Sequence, residues 1–383
     1  MGFTPVQTFL GGLLLHISSS SLLTDTGRVF GISSVVDGAI YGDRARWRWA
    51  ILAGLVTGPA VIAATGLAAA IPDSGTWVYA AQPVSRLALA GALVGFGSKL
   101  GSGCTSGHFL CGMSRLSPRS VIATCTFMLT AVLTARFFPA PVNDTLPAYA
   151  PSYPSGNQLL ALSSAVIVAI LARDALAALL PKLMSSRTAP EQSDETTPLT
   201  SASSSTATAT STSTSTSSSS WLCSLPYLLS GLTFSLGLMV SGMVNPLKVL
   251  GFLRFPPPLD TFDPSLGMIV AGAVIPNGIH WFALRRAQEK SGKAAEPRFS
   301  WESWQVPSRT QIDWRLLVGA AVFGMGWGTA GVCPGPAIEA GGSLLVAAFQ
   351  GADVNRAATG WAAYAVNMLL GMGAVRVLDK VIA

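Results

Sequence analysis

Long apolar stretches separated by short polar joints dominate the chain. A helix needs roughly 20 mostly apolar residues to cross a bilayer core. About nine stretches qualify, at roughly 6–24, 49–71, 86–102, 119–138 and 158–181, then 224–243, 265–284, 314–331 and 357–378. The first has neither a basic leading segment nor a small-residue cleavage site, so it reads as a span rather than a signal peptide. The pattern predicts an all-α integral membrane protein. Between the two groups of spans, the stretch from Ser185 to Ser220 is almost entirely Ser, Thr and Ala in its second half. Such a tract buries too little apolar area to offset its ordering entropy, and it predicts a disordered linker. The expected organisation is a first transmembrane repeat at 1–184, the linker at 185–220 and a second repeat at 221–383.

Composition strengthens this reading. Of 383 residues, 50% are hydrophobic and only 11% are charged, whereas a soluble domain carries about 25% charged residues. Five Cys in this length, an odd number, argue against a secreted disulfide framework. The net charge of +6 never gathers into a basic stripe, which argues against nucleic acid as a partner. Instead the cations sort by side. Seventeen Lys and Arg fall at alternate span ends, among them Arg28, Arg48, Arg115, Arg119 and Arg309, against five on the opposite side. The positive-inside rule then predicts an external N-terminus with the linker and C-terminus in the cytosol, and the plasma membrane as location. The sequon at Asn143-Asp144-Thr145 falls in a loop assigned outside, which agrees.

The chain also repeats itself. One register pairs Gly11 with Gly231, Ser21 with Ser241, Asp25 with Asn245, Arg28 with Lys248 and Gly31 with Gly251. Further on, Gly95-Phe96-Gly97 leading to Cys104 matches Gly324-Met325-Gly326 leading to Cys333. Five spans precede the second copy, so the copies enter the membrane from opposite faces. Inverted repeats of this kind place a substrate site near the midplane where they meet.

The Gly/Cys segments carry the candidate chemistry. Close helix packing accounts for Gly91, Gly95, Gly319 and Gly324, but not for the ends at the cysteines. There the helical pattern breaks, and an apolar piece of about ten residues follows, too short to cross. Each piece reads as a re-entrant half-helix, with Pro334 at a first helical position and Thr105 or Ser106 as the cap of the other copy. Two half-helix N-termini from opposite faces would aim N–H groups and positive dipole ends at one point. That site favours an anion with a thiol on each side. The candidate pathway residues are Gly103, Cys104, Thr105, Ser106 and Gly107 in the first copy, and Cys333, Pro334 and Gly335 in the second.

Other residues read in two ways. Lys99, inside a span, either draws the anion or snorkels to the interface. His108 either contacts the pathway or caps the half-helix, and Cys111 either lines or packs. A Cys104–Cys111 disulfide is conceivable, but nothing demands it. Arg173 reads as a local ion pair with Asp174, and Cys125 and Cys223 as small hydrophobes. Three His are scattered and no Cys-x-x-Cys pair occurs, so no metal or other cofactor is called for. No nucleotide-binding signature is present either.

The segment Gly-Cys104-Thr-Ser-Gly-His-x-x-Cys-Gly-x-Ser-Arg resembles the YeeE/YedE family of sulfur-transport membrane proteins. Ser-Gly-Met-Val-Asn-Pro246-x-Lys-Val-Leu-Gly-Phe and Gly-x-Gly-Trp-Gly…Cys333-Pro-Gly-Pro are similar to it as well, so the likeness covers nearly everything but the linker. The resemblance implies thiosulfate uptake through an hourglass of inverted repeats, with axial cysteines passing the anion along by S–H···S hydrogen bonds. Cys104 and Cys333 match two of those cysteines. A further one, on the outer approach, has no counterpart, because residues 1–103 contain no Cys. The Ser/Thr linker departs from the compact bacterial form and reads as a fungal elaboration. A neutral thiol can hold a soft sulfur and still release it, as conduction requires, whereas a thiolate would repel the anion, so protonated thiols are expected. The leading expectation is a non-enzymatic importer of thiosulfate or a related sulfur anion. The alternatives are a membrane sulfurtransferase using a Cys104 persulfide with His108 as the nearby base, or a membrane partner of a soluble sulfur-carrier protein.

Overall fold

The computed structural model describes residues 2–138, 150–185, 221–255, 262–292 and 296–382. The first copy comprises α1 (Pro5–Thr26), α2 (Ile32–Tyr41), α3 (Arg46–Thr65), the single turn α4 (Val78–Ala81), α5 (Val84–Leu100) and α6 (Pro118–Phe137). A long helix, α7 (Gly156–Ser185), follows. The second copy comprises α8 (Leu225–Ser241), α9 (Pro246–Phe252), α10 (Ile275–Ser291), α11 (Trp314–Ala330), α12 (Pro334–Phe349) and α13 (Asn355–Ile382). Both α1 and α8 carry Pro in the first turn and stop at a left-handed glycine, Gly27 (φ 70°) and Gly242 (φ 72°). The linker beyond Ser185 and the sequon at Asn143 lie outside the described residues.

Every expected span has its helix, and the protein is an all-α integral membrane protein. Among the described residues, eight stretches are long and apolar enough to cross a bilayer. The ninth, α5, has 17 residues, about 26 Å at 1.5 Å per residue. It packs between α11 and α13, so protein rather than lipid surrounds much of it.

The two copies run in opposite directions. A Cβ on Gly97 of α5 would overlap the backbone of Phe323 on α11, and a Cβ on Gly326 would lie 2.7 Å from the Val94 nitrogen. Gly97 corresponds to Gly326 and Val94 to Phe323 in the repeat, so one contact becomes the other when the copies are exchanged. Positions rise along α5 as they fall along α11, which makes the equivalent helices antiparallel. The same exchange relates Gly95 against Met368 of α13 to Gly324 against Phe127 of α6. A second seam joins α1 to α8, where the Ser18 hydroxyl donates to Ser230 O (2.7 Å) and the Ser230 hydroxyl to Ser18 O (3.1 Å). Small residues let these backbones approach, as membrane helices lacking a hydrophobic drive between them require.

The re-entrant pieces differ from expectation in one copy. After Cys104 the chain makes an eight-residue π-helix, Ser106–Met113, close to the short piece expected. After Cys333, α12 continues for 16 residues, because Gly342 lets it lie on the backbone of Val56 in α3 and Gly341 fits under the Trp361 ring. The pattern of apolar stretches also concealed a further pair of short helices, α2 and α9, of 10 and 7 residues. The motif residue Asn245 caps α9, accepting from Leu247 N (2.9 Å), and Pro246 fills the first position.

Candidate functional site

The breaks at the two cysteines open onto one cavity of about 40 Å³, room for about three water-sized spheres. The first copy contributes Ile32, Cys104, Thr105 and Ser106, and the second contributes Met243, Cys333 and Gly335. Apolar rings and chains such as Phe109, Phe234, Leu238 and Trp327 fill the rest of the wall. Both thiols are buried, at 1% and 5% exposure, and both are free. The Thr105 hydroxyl donates to the Cys333 sulfur at 3.5 Å, crossing between copies, while the Cys104 sulfur lies 3.3 Å from the Ser106 hydroxyl.

Capping here departs from expectation. Thr105 precedes the π-helix in helical conformation and makes no side-chain cap. Ser106 instead accepts from Ile32 N at 3.0 Å, satisfying the first N–H of α2, whose own cap position is a glycine. Pro334 stands at the first position of α12 with Cys333 extended before it (φ −102°, ψ 165°), as the sequence predicts. However, Pro334 and Pro336 carry no N–H, so only Gly335 offers a donor in that turn, against three from Thr105, Ser106 and Gly107. Removing the Ser106 hydroxyl is expected to cost about 1 kcal/mol, the usual worth of a cap. A fall in the thermal midpoint of detergent-solubilised Ser106→Ala checks this, and an unchanged midpoint would remove the capping role.

A second chamber of about 310 Å³ lies behind the same turn. Gly31, Gly103, Gly107 and His108 face it, while Ile32, Thr105 and Ser106 face the thiol cavity. The partition is thin, since adjacent residues, Gly31 with Ile32 and Gly107 with Ser106, line opposite spaces, and a Cβ on Gly107 would meet nothing nearer than Gly31 Cα at 4.0 Å. The chamber is lined by five arginines, Arg28, Arg48, Arg115, Arg119 and Arg309. Three carboxylates offset them: Glu302 at 3.4 Å from Arg28, Asp43 at 2.6 Å from Arg48 and Asp313 at 3.7 Å from Arg119. Arg48's hydrogen bonds hold the Asp43 carboxyl below its usual range. Among the described residues the surplus is positive, and a surplus of that sign favours anions. The sequence reading used these cations as markers of sidedness, Arg28 also in the repeat register and Arg115 as the end of a motif, and assigned none of them to a site. They come from segments far apart in the chain, so no local motif announces the chamber.

The remaining candidates sort clearly. Lys99 does not line the cavity: its Nζ lies 2.6 Å from Asp37 of α2, which also accepts two hydrogen bonds from Arg376 of α13 (2.7 and 2.8 Å). Its charge is therefore committed to a triad, rather than free to draw an anion. Both ring nitrogens of His108 are engaged, Nε2 with Gly101 O and Nδ1 with Ser120 Oγ, each at 3.2 Å. It ties the end of α5 to α6 and edges the arginine chamber, with no contact to the Cys104 sulfur. Cys111 lines a separate small polar pocket with Asn277 and His280. Arg173 lies 3.9 Å from Asp174, as expected. Cys125 is exposed on α6 and Cys223 is half-buried.

Comparison with known proteins follows this geometry. Residues 4–133 match a family described as sulphur transport, and residues 224–382 a family of unknown function (DUF6691). A probable transporter of Xylella fastidiosa strain Temecula1 is 39% identical over 128 residues, 33% of this chain and 90% of the relative. The chain belongs to the sulphur transport family. A probable transporter of Xylella fastidiosa strain 9a5c is 38% identical over the same coverage, and another from that strain is 39% identical over 111 residues, 29% of this chain and 69% of the relative. No solved structure matches the chain. Within this sulphur transport protein, the residues matched to the family include Cys104 with its turn, α2 and the Gly31–Gly107 partition, and the second match contains Cys333.

Proposed function

We propose that this membrane transporter imports thiosulfate, or a closely related sulfur anion, through the two-thiol cavity and the arginine chamber behind it. One observation carries the reading: a thiol from each inverted copy lines a single buried cavity, and the turn that bears Thr105 and Ser106 toward it bears Gly103 and Gly107 toward a chamber with a cationic surplus. The apolar wall excludes water and the hydroxyl-supported thiols meet a soft terminal sulfur. Donors of that kind are weak enough to let go, as conduction requires. The surplus of arginine draws the dianion onward. Family membership supports the substrate class. By the charge bias the chamber is cytosolic, the N-terminus is external, and the plasma membrane is the location. Catalysis by a persulfide lacks support, since His108 holds backbone and Ser120 rather than the thiol.

Uptake of radiolabelled thiosulfate by proteoliposomes tests the reading. Because each thiol supplies one weak hydrogen bond of about 1 kcal/mol, Cys104→Ala and Cys333→Ala are each expected to slow uptake several-fold. Normal uptake by both variants would take the thiols out of the path. Wild-type vesicles no better than empty ones would sink the substrate.

A further inference from the structure

Between Asp313 and Asp353 the chain has a single acidic residue, Glu339. It lies on α12, six residues after Cys333, and is fully buried at 0% exposure. Its Oε1 accepts from the Ser343 hydroxyl at 2.6 Å, while its Oε2 has no hydrogen-bond partner. An ionised carboxylate needs a cation or several donors at such depth, and one serine is all this site supplies.

Among the described residues, the helices packed on α12 offer no compensating charge. Of the helices packed on α12, α3 carries ionisable groups only in its first turn, Arg46 and Arg48, the latter on Asp43. On α2, Asp37 is held by Lys99 and Arg376, and Tyr227 of α8 accepts from Arg28. Tyr364 of α13 donates to Val332 O at 2.7 Å, and the charged residues of α13 sit in its first turn and its last two turns. The Tyr79 phenol lies within electrostatic reach of both Glu339 and Cys333. Its hydroxyl is likewise buried without a partner. Cys333, Tyr79 and Glu339 thus share one buried neighbourhood without hydrogen bonds joining them among the described residues.

We propose that Glu339 is a proton-binding site coupled to the anion site. The cavity admits a dianion only while Oε2 of Glu339 holds a proton. Ionisation would place a negative charge on the helix that carries Cys333 at its start, where the low dielectric makes repulsion of a dianion strong. This inference rests on the thiosulfate reading above and adds its coupling ion. Ser343 holds the carbonyl oxygen of the neutral acid, and Oε2–H is the proton that exchanges.

The test combines two readouts on the full-length protein. In proteoliposomes, wild-type thiosulfate uptake is expected to fall several-fold from mildly acidic to mildly alkaline pH, while Glu339→Gln, a permanently neutral isostere, keeps the acid-side rate throughout. In purified protein, infrared spectra should show a protonated-carboxyl band that titrates over the same range, is missing in Glu339→Gln and shifts in Ser343→Ala. A Glu339→Gln protein with the wild-type pH profile, or one that keeps the titrating band, overturns the proposal. Vesicles that take up no thiosulfate at any pH overturn the transport reading instead, and the band alone then decides whether Glu339 holds a proton.

Discussion

Valine in place of Gly107 is expected to cut thiosulfate uptake by more than about tenfold while leaving the protein folded. The position combines two properties that rarely occur together in this molecule. Most buried glycines on its helices touch backbone directly, and a side chain at Gly95 or Gly324 would drive the helices apart. Gly107 has open space around its missing Cβ, with Gly31 Cα at 4.0 Å. Its backbone is not left-handed, so a side chain brings no conformational strain. Packing thus gives no reason for glycine there, whereas a passage between the thiol cavity and the arginine chamber does. Two methyl groups across that gap convert a thin partition into an apolar plug, and hydrophobic constrictions of this kind close pores. Uptake should fall by more than about tenfold, at least about 1.4 kcal/mol in barrier height. Size-exclusion profile and melting temperature should stay at wild-type values. Transport at the wild-type rate would mean that the anion does not pass between Gly31 and Gly107.

The second large effect concerns stability. Asp37→Asn removes the one anion shared by Lys99 and Arg376, leaving two cations without a carboxylate where three helices, α2, α5 and α13, converge. Breaking a buried pair from one side costs 3–5 kcal/mol. Both cations are partly exposed, at 24% and 32%, so screening lowers the figure to on the order of 2 kcal/mol. The melting temperature in detergent reports the loss. The companion variant Asp37→Asn with Lys99→Met and Arg376→Met should recover much of it, because no unpaired cation remains. If the single variant melts with the wild type, the triad is ornamental.

How much of this could be read along the chain depends on distance. Helix existence follows from local apolar runs, so all nine spans could be found without coordinates. The duplication was visible because glycines and cysteines recur at equal spacing. Pro334 announced a helix start by its missing N–H alone. The rest required partners far away in sequence. Lys99 looked like a free cation inside a span because its neutraliser lies on α2 and its competitor on α13. Ser106 looked like a cap for its own half-helix, whereas Gly31 leaves α2 without a side-chain cap and Ser106 fills that need across the fold. The length of α12 was underestimated because nothing local shows that Gly341 and Gly342 fit against Trp361 and Val56. Glu339 did carry a local signal, a lone acid in an apolar run, and that signal is the one most worth heeding in similar chains.

The antiparallel seams have a mechanical meaning. Ser18 and Ser230 exchange hydrogen bonds across one seam, while Gly97 and Gly326 interlock with the opposite backbone across the other. Sliding one half past its twin by a helical turn would push Phe323 through Gly97 and Ser241 through Gly11. Seams of this kind resist sliding, like a vault closed by paired keystones. On the proposed path, the parts left to yield to a solute are small: the Ser106 side chain and the turn that carries Gly107 past Gly31.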